Sequence, residues 1–270
     1  MSTQPTPAKY NKAYADFNSP LMRAFRAKAY GVDIGQHSWT SAHEIETIIA
    51  KTKLSEKSVV LDAGCGPGGT LLYALSKTGC QGYGIDITEA ALDIGKQWAQ
   101  EKGLSARVNF TAHDLTQPLP YPDQLFDVTM SIDVIVHLPQ SDSLFTEAKR
   151  VLKLDGRLIF TDAGIITGPV QVKELERRSF YGSTRFTPDG YNEQILKHIG
   201  FTVEDRTDTT DQVVANTKGR IEAREFYKSD LLALEGQQEF DRQQEYLKTV
   251  LDLSTSKRLS RFLYIARKSR

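Results

Sequence analysis

Ser58-Val-Val-Leu-Asp-Ala-Gly-Cys-Gly-Pro-Gly-Gly-Thr70 decides how this 270-residue chain is read. An apolar strand runs into Asp62, turns through Gly64, Gly66 and Gly68, and feeds a helix whose apolar spacing covers 70–75. Three turn positions without side chains let backbone approach a bound molecule closely. A strand, a glycine turn and a helix N-terminus, in that order, open a nucleotide-type cofactor site.

Working outward, the chain alternates between two periodicities. Strand-like runs at 59–63, 82–86, 108–112, 126–131 and 157–161 are separated by helical patterns at 70–77, 89–102 and 141–152. That alternation predicts βαβ units and a parallel sheet covered on both faces. A further helix is expected at 188–198, strands at 201–205 and 261–266, and a polar helical stretch between those two strands. Residues 10–56 read as mixed helix and loop, with Tyr10, Tyr14, Phe17, Phe25, Tyr30 and Trp39 among charges, and residues 2–8 as a tail.

Composition narrows the partners. Lys+Arg 34 balance Asp+Glu 34, which argues against a large polyanionic partner, since nucleic-acid binding draws on clustered basic charge. The two cysteines, Cys65 and Cys80, offer neither a disulfide framework nor metal-ligand spacing, so no metal is expected and a reducing compartment is. The first twelve residues lack an apolar leader core, and no stretch is long enough to span a bilayer. The expectation is a soluble cytoplasmic protein with no nucleic-acid partner and no membrane.

Residues 64–69 also satisfy G-x-G-x-x-G, so a dinucleotide-dependent oxidoreductase stays open on the turn alone. Four further features favour S-adenosylmethionine (SAM). Asp62 can face the turn and meet a methionine ammonium. Asp86, ending the second strand, can accept from both ribose hydroxyls, which serves SAM and NAD equally. Asp114 and Leu115, after the third strand, offer an acceptor for an adenine amino group and an apolar cover for its ring. Arg150-Val-Leu-Lys-Leu-Asp-Gly-Arg-Leu158 resembles the "RVLKPGG-L" segment of class I methyltransferases.

In that order and spacing, these landmarks over 58–162 resemble the class I SAM-dependent methyltransferase family. The resemblance implies a Rossmann-like α/β fold with a seven-stranded, mostly parallel sheet and an antiparallel last strand. It further implies one domain over 1–270, with a helical N-terminal cap at 1–50, a SAM-binding core at 58–165 and a helical lid insertion at 208–257. The cofactor contacts it suggests are Trp39, Thr40, Asp62, Gly64, Cys65, Gly66, Gly68, Asp86, Ile87, Asp114, Leu115 and Ser131, with S-adenosylhomocysteine (SAH) as product.

For the acceptor, the segment Met130-Ser-Ile-Asp-Val-Ile-Val-His-Leu138 lacks the Asn/Asp-Pro-Pro-aromatic and Pro-Cys motifs of DNA-base enzymes. His137 is the one group there suited to general-base work near neutrality; the alternative is a structural histidine. Asp133 could orient it or stand near the sulfonium. The Asp133-x-x-x-His137-Leu138 pattern, with Thr161-Asp162 and Tyr30-Gly-Val-Asp-Ile-Gly35…Trp39-Thr-Ser41, is similar to the small-molecule amine branch, including phosphoethanolamine and sarcosine/dimethylglycine methyltransferases. That likeness implies a cap tyrosine over the reacting centre, here Tyr14, and an anion held by Arg178, Tyr181, Arg185 and Lys248, with Asp133 also among the acceptor-binding residues. Arg177 and Arg178 also read as a solvated helix face, and 235–248 as an exposed one. The reaction expected is methyl transfer to nitrogen of a metabolite, with oxygen or carbon acceptors, an oxidoreductase and a non-catalytic SAM-binding protein as alternatives.

Overall fold

The computed structural model describes residues 11, 13–180, 182 and 184–269. Helices α1 (Pro20–Tyr30) and α2 (Ala42–Thr52) lie before the sheet. In α1 the Ser19 hydroxyl accepts from the Met22 N–H and Pro20 occupies the first turn, where a missing N–H costs nothing. In α2 Ser41 caps the Glu44 N–H in the same way. The glycine segment then gives β1 (Val59–Ala63) and α3 (Gly69–Thr78), followed by β2 (Gln81–Asp86), α4 (Glu89–Glu101), β3 (Val108–Ala112) and β4 (Phe126–Ser131). After a 3-10 turn at Ile135–His137 come α5 (Ser141–Val151), β5 (Leu152–Ile166), α6 (Val172–Arg178), β6 (Thr187–Pro188) and α7 (Tyr191–Ile199). The chain continues through β7 (Phe201–Asp208), α8 (Thr210–Phe226), α9 (Lys228–Glu235), α10 (Gln237–Thr255) and β8 (Leu259–Lys268).

The sheet order is β3-β2-β1-β4-β5-β8-β7, with β6 paired to β5. β1 to β5 pair in parallel, and β8 runs antiparallel between β5 and β7. Val60 and Leu61 at the centre of β1 are fully buried, as a strand covered on both faces requires. One apolar layer gathers Leu61, Phe126, Phe145, Phe160 and Tyr264, and the other Val60, Leu71, Met130 and Ile159. Among the described residues no helix is long and apolar enough to cross a membrane.

The expected fold is the observed one, with three differences. The fifth strand is not confined to 157–161, because β8 zips along it from Arg157↔Arg267 to Ile166↔Leu259 and extends both. The helix expected at 188–198 starts at Tyr191, since Pro188 joins β6 and Gly190 takes the left-handed conformation at its cap. β6 itself, two residues long, is the eighth strand. The late helical stretch forms α8–α10, and α1 packs closely on α8: a side chain at Gly219 would strike the Ala29 carbonyl oxygen.

Candidate active site

β1 and β4 are neighbours in the sheet but not in sequence, and the crevice at their carboxyl ends is where an open α/β sheet takes a ligand. A cavity of about 260 Å³ lies there. One side is built from the strand ends and turns: Asp62, Gly64, Cys65, Gly66, Asp86, Ile87, Asp114 and Leu115 all line it. The other is built from Trp39, Asp133, His137, Arg178, Arg220 and Tyr246.

The glycine turn is held by its neighbour strand. The N–H groups of Gly64 and Cys65 donate to the Ile85 carbonyl (2.8 and 3.0 Å). Gly66 N–H donates to Asp86 Oδ2 at 2.8 Å and Thr88 N–H to Asp86 Oδ1 at 2.9 Å. Gly66 has φ +53°, and a side chain there would strike the Tyr14 hydroxyl at 2.9 Å, so the turn needs glycine twice over. Each Asp86 oxygen keeps a second lone pair for a hydroxyl donor.

Burial, and then the Asp86 charge, push the Asp62 carboxyl up to about 7. Burial also raises Asp86, with the Thr88 and Gly66 N–H groups pulling against it. Two carboxylates with one sign of charge at a buried edge are a cation site. His113 Nε2, in the same wall, is buried with no hydrogen-bond partner among the described residues. An orphaned polar atom beside Asp114 is one that a purine ring can satisfy. The residues present therefore fit a ligand with an amino-acid cation, a ribose and a base.

The opposite side carries positive charge. Arg178, 6% exposed, donates to the Tyr246 hydroxyl at 3.0 Å and lies 5.6 Å from the Trp39 ring. Arg220 lies over the same ring at 4.9 Å. The solvated-face reading of Arg178 is thereby replaced: its helix turns it inward. Burial, then the Arg178 charge, lower His137 to about 4, so the imidazole is neutral at physiological pH but a weak base. Burial, then Arg220 and Arg26, lower His37 to about 3. Tyr14 lines the cavity with its ring edge-on to His37 at 5.4 Å.

Asp133 has another task than the one expected. Its oxygens accept from Arg261 (2.7 and 3.3 Å), the Thr161 hydroxyl (2.9 Å) and the Trp39 N–H (2.8 Å), which fills its acceptor positions. Burial works to raise this carboxyl, but Arg261 outweighs it and holds it below the usual range. The aspartate anchors the Trp39 wall instead of orienting His137.

Five expected residues do not line the cavity. The Thr40 hydroxyl is committed to Glu44 at 2.6 Å, and the Ser131 hydroxyl to the Ala63 carbonyl at 3.0 Å. Gly68 caps α3 against the Phe110 ring. Arg185 donates to the Ser141 hydroxyl at 2.6 Å and lies over Tyr191. Lys248 is exposed, on the face of α10 opposite Tyr246, Leu247 and Val250. Tyr181 lies outside the described residues.

Gln36, His37, His113, Arg220 and Tyr246 line the cavity without having been expected. For Tyr246 a signal existed: Tyr246, Leu247 and Val250 form an apolar stripe within the charged run. Arg220 sits in a polar helix with no pattern to single it out.

The family model for a methyltransferase domain matches residues 54–199. Phosphoethanolamine N-methyltransferase 1 of Zea mays is 29% identical over 209 residues, covering 77% of this chain and 40% of the maize protein. Sarcosine/dimethylglycine N-methyltransferase of Halorhodospira halochloris is 29% identical over 184 residues, covering 64% of this chain and 63% of that protein. The chain thus spans less than two thirds of either relative. Among solved structures, a cyclopropane synthase of Mycobacterium tuberculosis superposes with a TM-score of 0.81 at 17% identity, covering 98% of this chain and 100% of that one.

Proposed function

Because the chain belongs to the methyltransferase domain family, we propose that it methylates a nitrogen of an anionic small metabolite, with SAM as donor. The observation that carries this is the polarity of one cavity: Asp62 and Asp86 on one side, Arg178 and Arg220 on the other. A cationic donor suits the first side and an anionic acceptor the second. Both named relatives are N-methyltransferases, one of phosphoethanolamine and one of sarcosine and dimethylglycine, which supports an amine carrying phosphate or carboxylate. The dinucleotide reading loses its support, since antiparallel β8 lies beside β5 where a second mononucleotide-binding half would add its third parallel strand.

Bound SAM supplies an electrophilic methyl on a sulfonium. Asp62 holds the amino-acid ammonium, Asp86 the ribose hydroxyls, and the Asp114–His113 wall the base. Arg178 and Arg220 fix the acceptor's anion so that its amine points across the cavity, and orientation carries much of the acceleration in a displacement of this kind. His137 is neutral and accepts a hydrogen bond from the amine N–H. An acceptor anion beside Arg178 offsets the charge that depresses His137 and so makes it a better proton acceptor.

Incubation with methyl-labelled SAM and a matched set of anionic, neutral and cationic amines tests the proposal. Label should pass to anionic amines. Equal transfer to neutral ones, or transfer to oxygen or carbon acceptors alone, would overturn it.

A further inference from the structure

Gln36, His37 and Arg220 line not only the reaction cavity but a second one, of about 550 Å³ against about 260 Å³ for the first. This larger chamber lies between α1 with the residues before it and helices α8–α10. Its apolar lining is Phe17, Met22, Phe25, Phe180, Leu231 and Leu234.

Three of the arginines around it are paired with carboxylates. Arg26 pairs with Asp33, Arg224 with Glu235, and Arg242 with Glu239. Their guanidinium faces also lie on rings: Arg26 on Phe17 at 4.3 Å, Arg224 on Phe240 at 4.5 Å, Arg242 on Phe180 at 3.9 Å. Most of what faces the space is hydrocarbon and ring surface, with Asp16, Gln36, His37, Arg220 and Gln243 as further polar groups in its wall. Its volume falls in the range of pockets that take organic ligands. Empty space forfeits contacts along its apolar walls, so an occupant with a large apolar surface is the ligand class that such a chamber stabilises best.

We propose that this chamber takes the apolar body of the acceptor, which is therefore an amphiphile. Its amine and anionic group sit in the reaction cavity, and its hydrocarbon or aromatic portion passes the Gln36–His37–Arg220 wall into the chamber. The inference rests on the acceptor reading above and adds the substrate's second half. Leu234, 45% exposed, stands at the chamber rim, where it can be replaced with little effect on folding.

The test is calorimetric titration of SAH-saturated protein with N-alkylglycines bearing two-, four- and six-carbon chains, with methyl transfer from SAM measured on the same compounds. Affinity should rise about three- to fourfold per added methylene, the gain from burying each one. Leu234→Asp and Met22→Trp should flatten that rise while leaving N-ethylglycine binding unchanged. A flat series in the wild type overturns the chamber, even where N-ethylglycine is methylated and the acceptor reading stands. A rising series with no methyl transfer upholds the chamber as an apolar ligand site and overturns the acceptor reading instead.

Discussion

Arg261 Nε lies 2.7 Å from Asp133 Oδ1, joining two residues 128 positions apart in the chain. The same guanidinium donates to both Glu44 oxygens at 2.7 and 2.9 Å. One buried cation thus ties β8, α2 and the end of β4 together. Asp133 in turn holds the Trp39 N–H, while Asn216 and Gln212 of α8 donate to the Trp39 carbonyl at 2.6 and 3.2 Å. The tryptophan that backs both cavity arginines is gripped from the sheet on one side and from the late helices on the other.

Removing one member of a buried ion pair strands the other, at a cost of about 3–5 kcal/mol. Asp133→Asn should lower stability by that order in urea unfolding. Where it remains folded, it should raise the KM for the acceptor more than that for SAM. Equal shifts in both would mean that the network supports the whole fold without positioning Trp39.

Asp62 sets a pH dependence of cofactor affinity. With its carboxyl raised to about 7 by burial and Asp86, it carries a proton over much of the population below that pH. A cationic ligand needs the carboxylate, so SAM affinity should weaken by up to about tenfold per pH unit below 7, with a proton released on binding. Calorimetry at pH 6 in two buffers of different ionisation enthalpy measures that proton. Asp62→Asn should bind more weakly at pH 8 and lose the pH slope.

The same raised value bears on stability with the opposite sign to a salt-bridged aspartate. The folded protein holds this proton more tightly than the unfolded chain, so Asp62 contributes stability at low pH and loses it as pH rises from about 4 to 7. Asp62→Asn should remove this fall in thermal unfolding without ligand.

Asp86→Ala removes the acceptor of the Gly66 and Thr88 N–H groups together with the proposed ribose contact. Hydrogen bonds to a charged group contribute about 1.5–3 kcal/mol each, so SAM affinity should fall at least tenfold and by as much as a thousandfold. Wild-type affinity by calorimetry would remove Asp86 from the cofactor site.

Arg178→Ala should raise the acceptor KM tenfold or more with little change in SAM affinity. It should also move His137 upward, because the Arg178 charge is one of the two causes of its depression. NMR titration of the histidine ring reads that shift directly. An unmoved His137 would place the guanidinium too far away to act on it.

The cofactor half was legible because its chemistry sits in one contiguous stretch and at strand ends. Strand-like runs locate β1, β2 and β3, and the residues at the carboxyl end of each fall at the crevice by geometry alone, which makes Asp62, Asp86 and Asp114 legible. The acceptor half is assembled from three separated helices. Arg178, Arg220 and Tyr246 come from α6, α8 and α10, whose inward faces depend on how α6 and α8 pack on α10. Lys248 and Tyr246 differ by two positions and point to opposite sides, so a charged run read as one surface hid the tyrosine. Asp133 looks locally like a ligand-facing residue because its partner, Arg261, lies on the last strand, and no local pattern links them.

The proposed function puts a cationic donor on the carboxylates of one cavity and an anionic amine on its arginines. A crystal structure of the protein with SAH and N-ethylglycine shows whether both sit there. SAH should lie along the Asp62–Asp86–Asp114 edge, with the carboxylate of the amine on Arg178 and Arg220. SAH in another cleft, or the carboxylate bound away from both arginines, would contradict it.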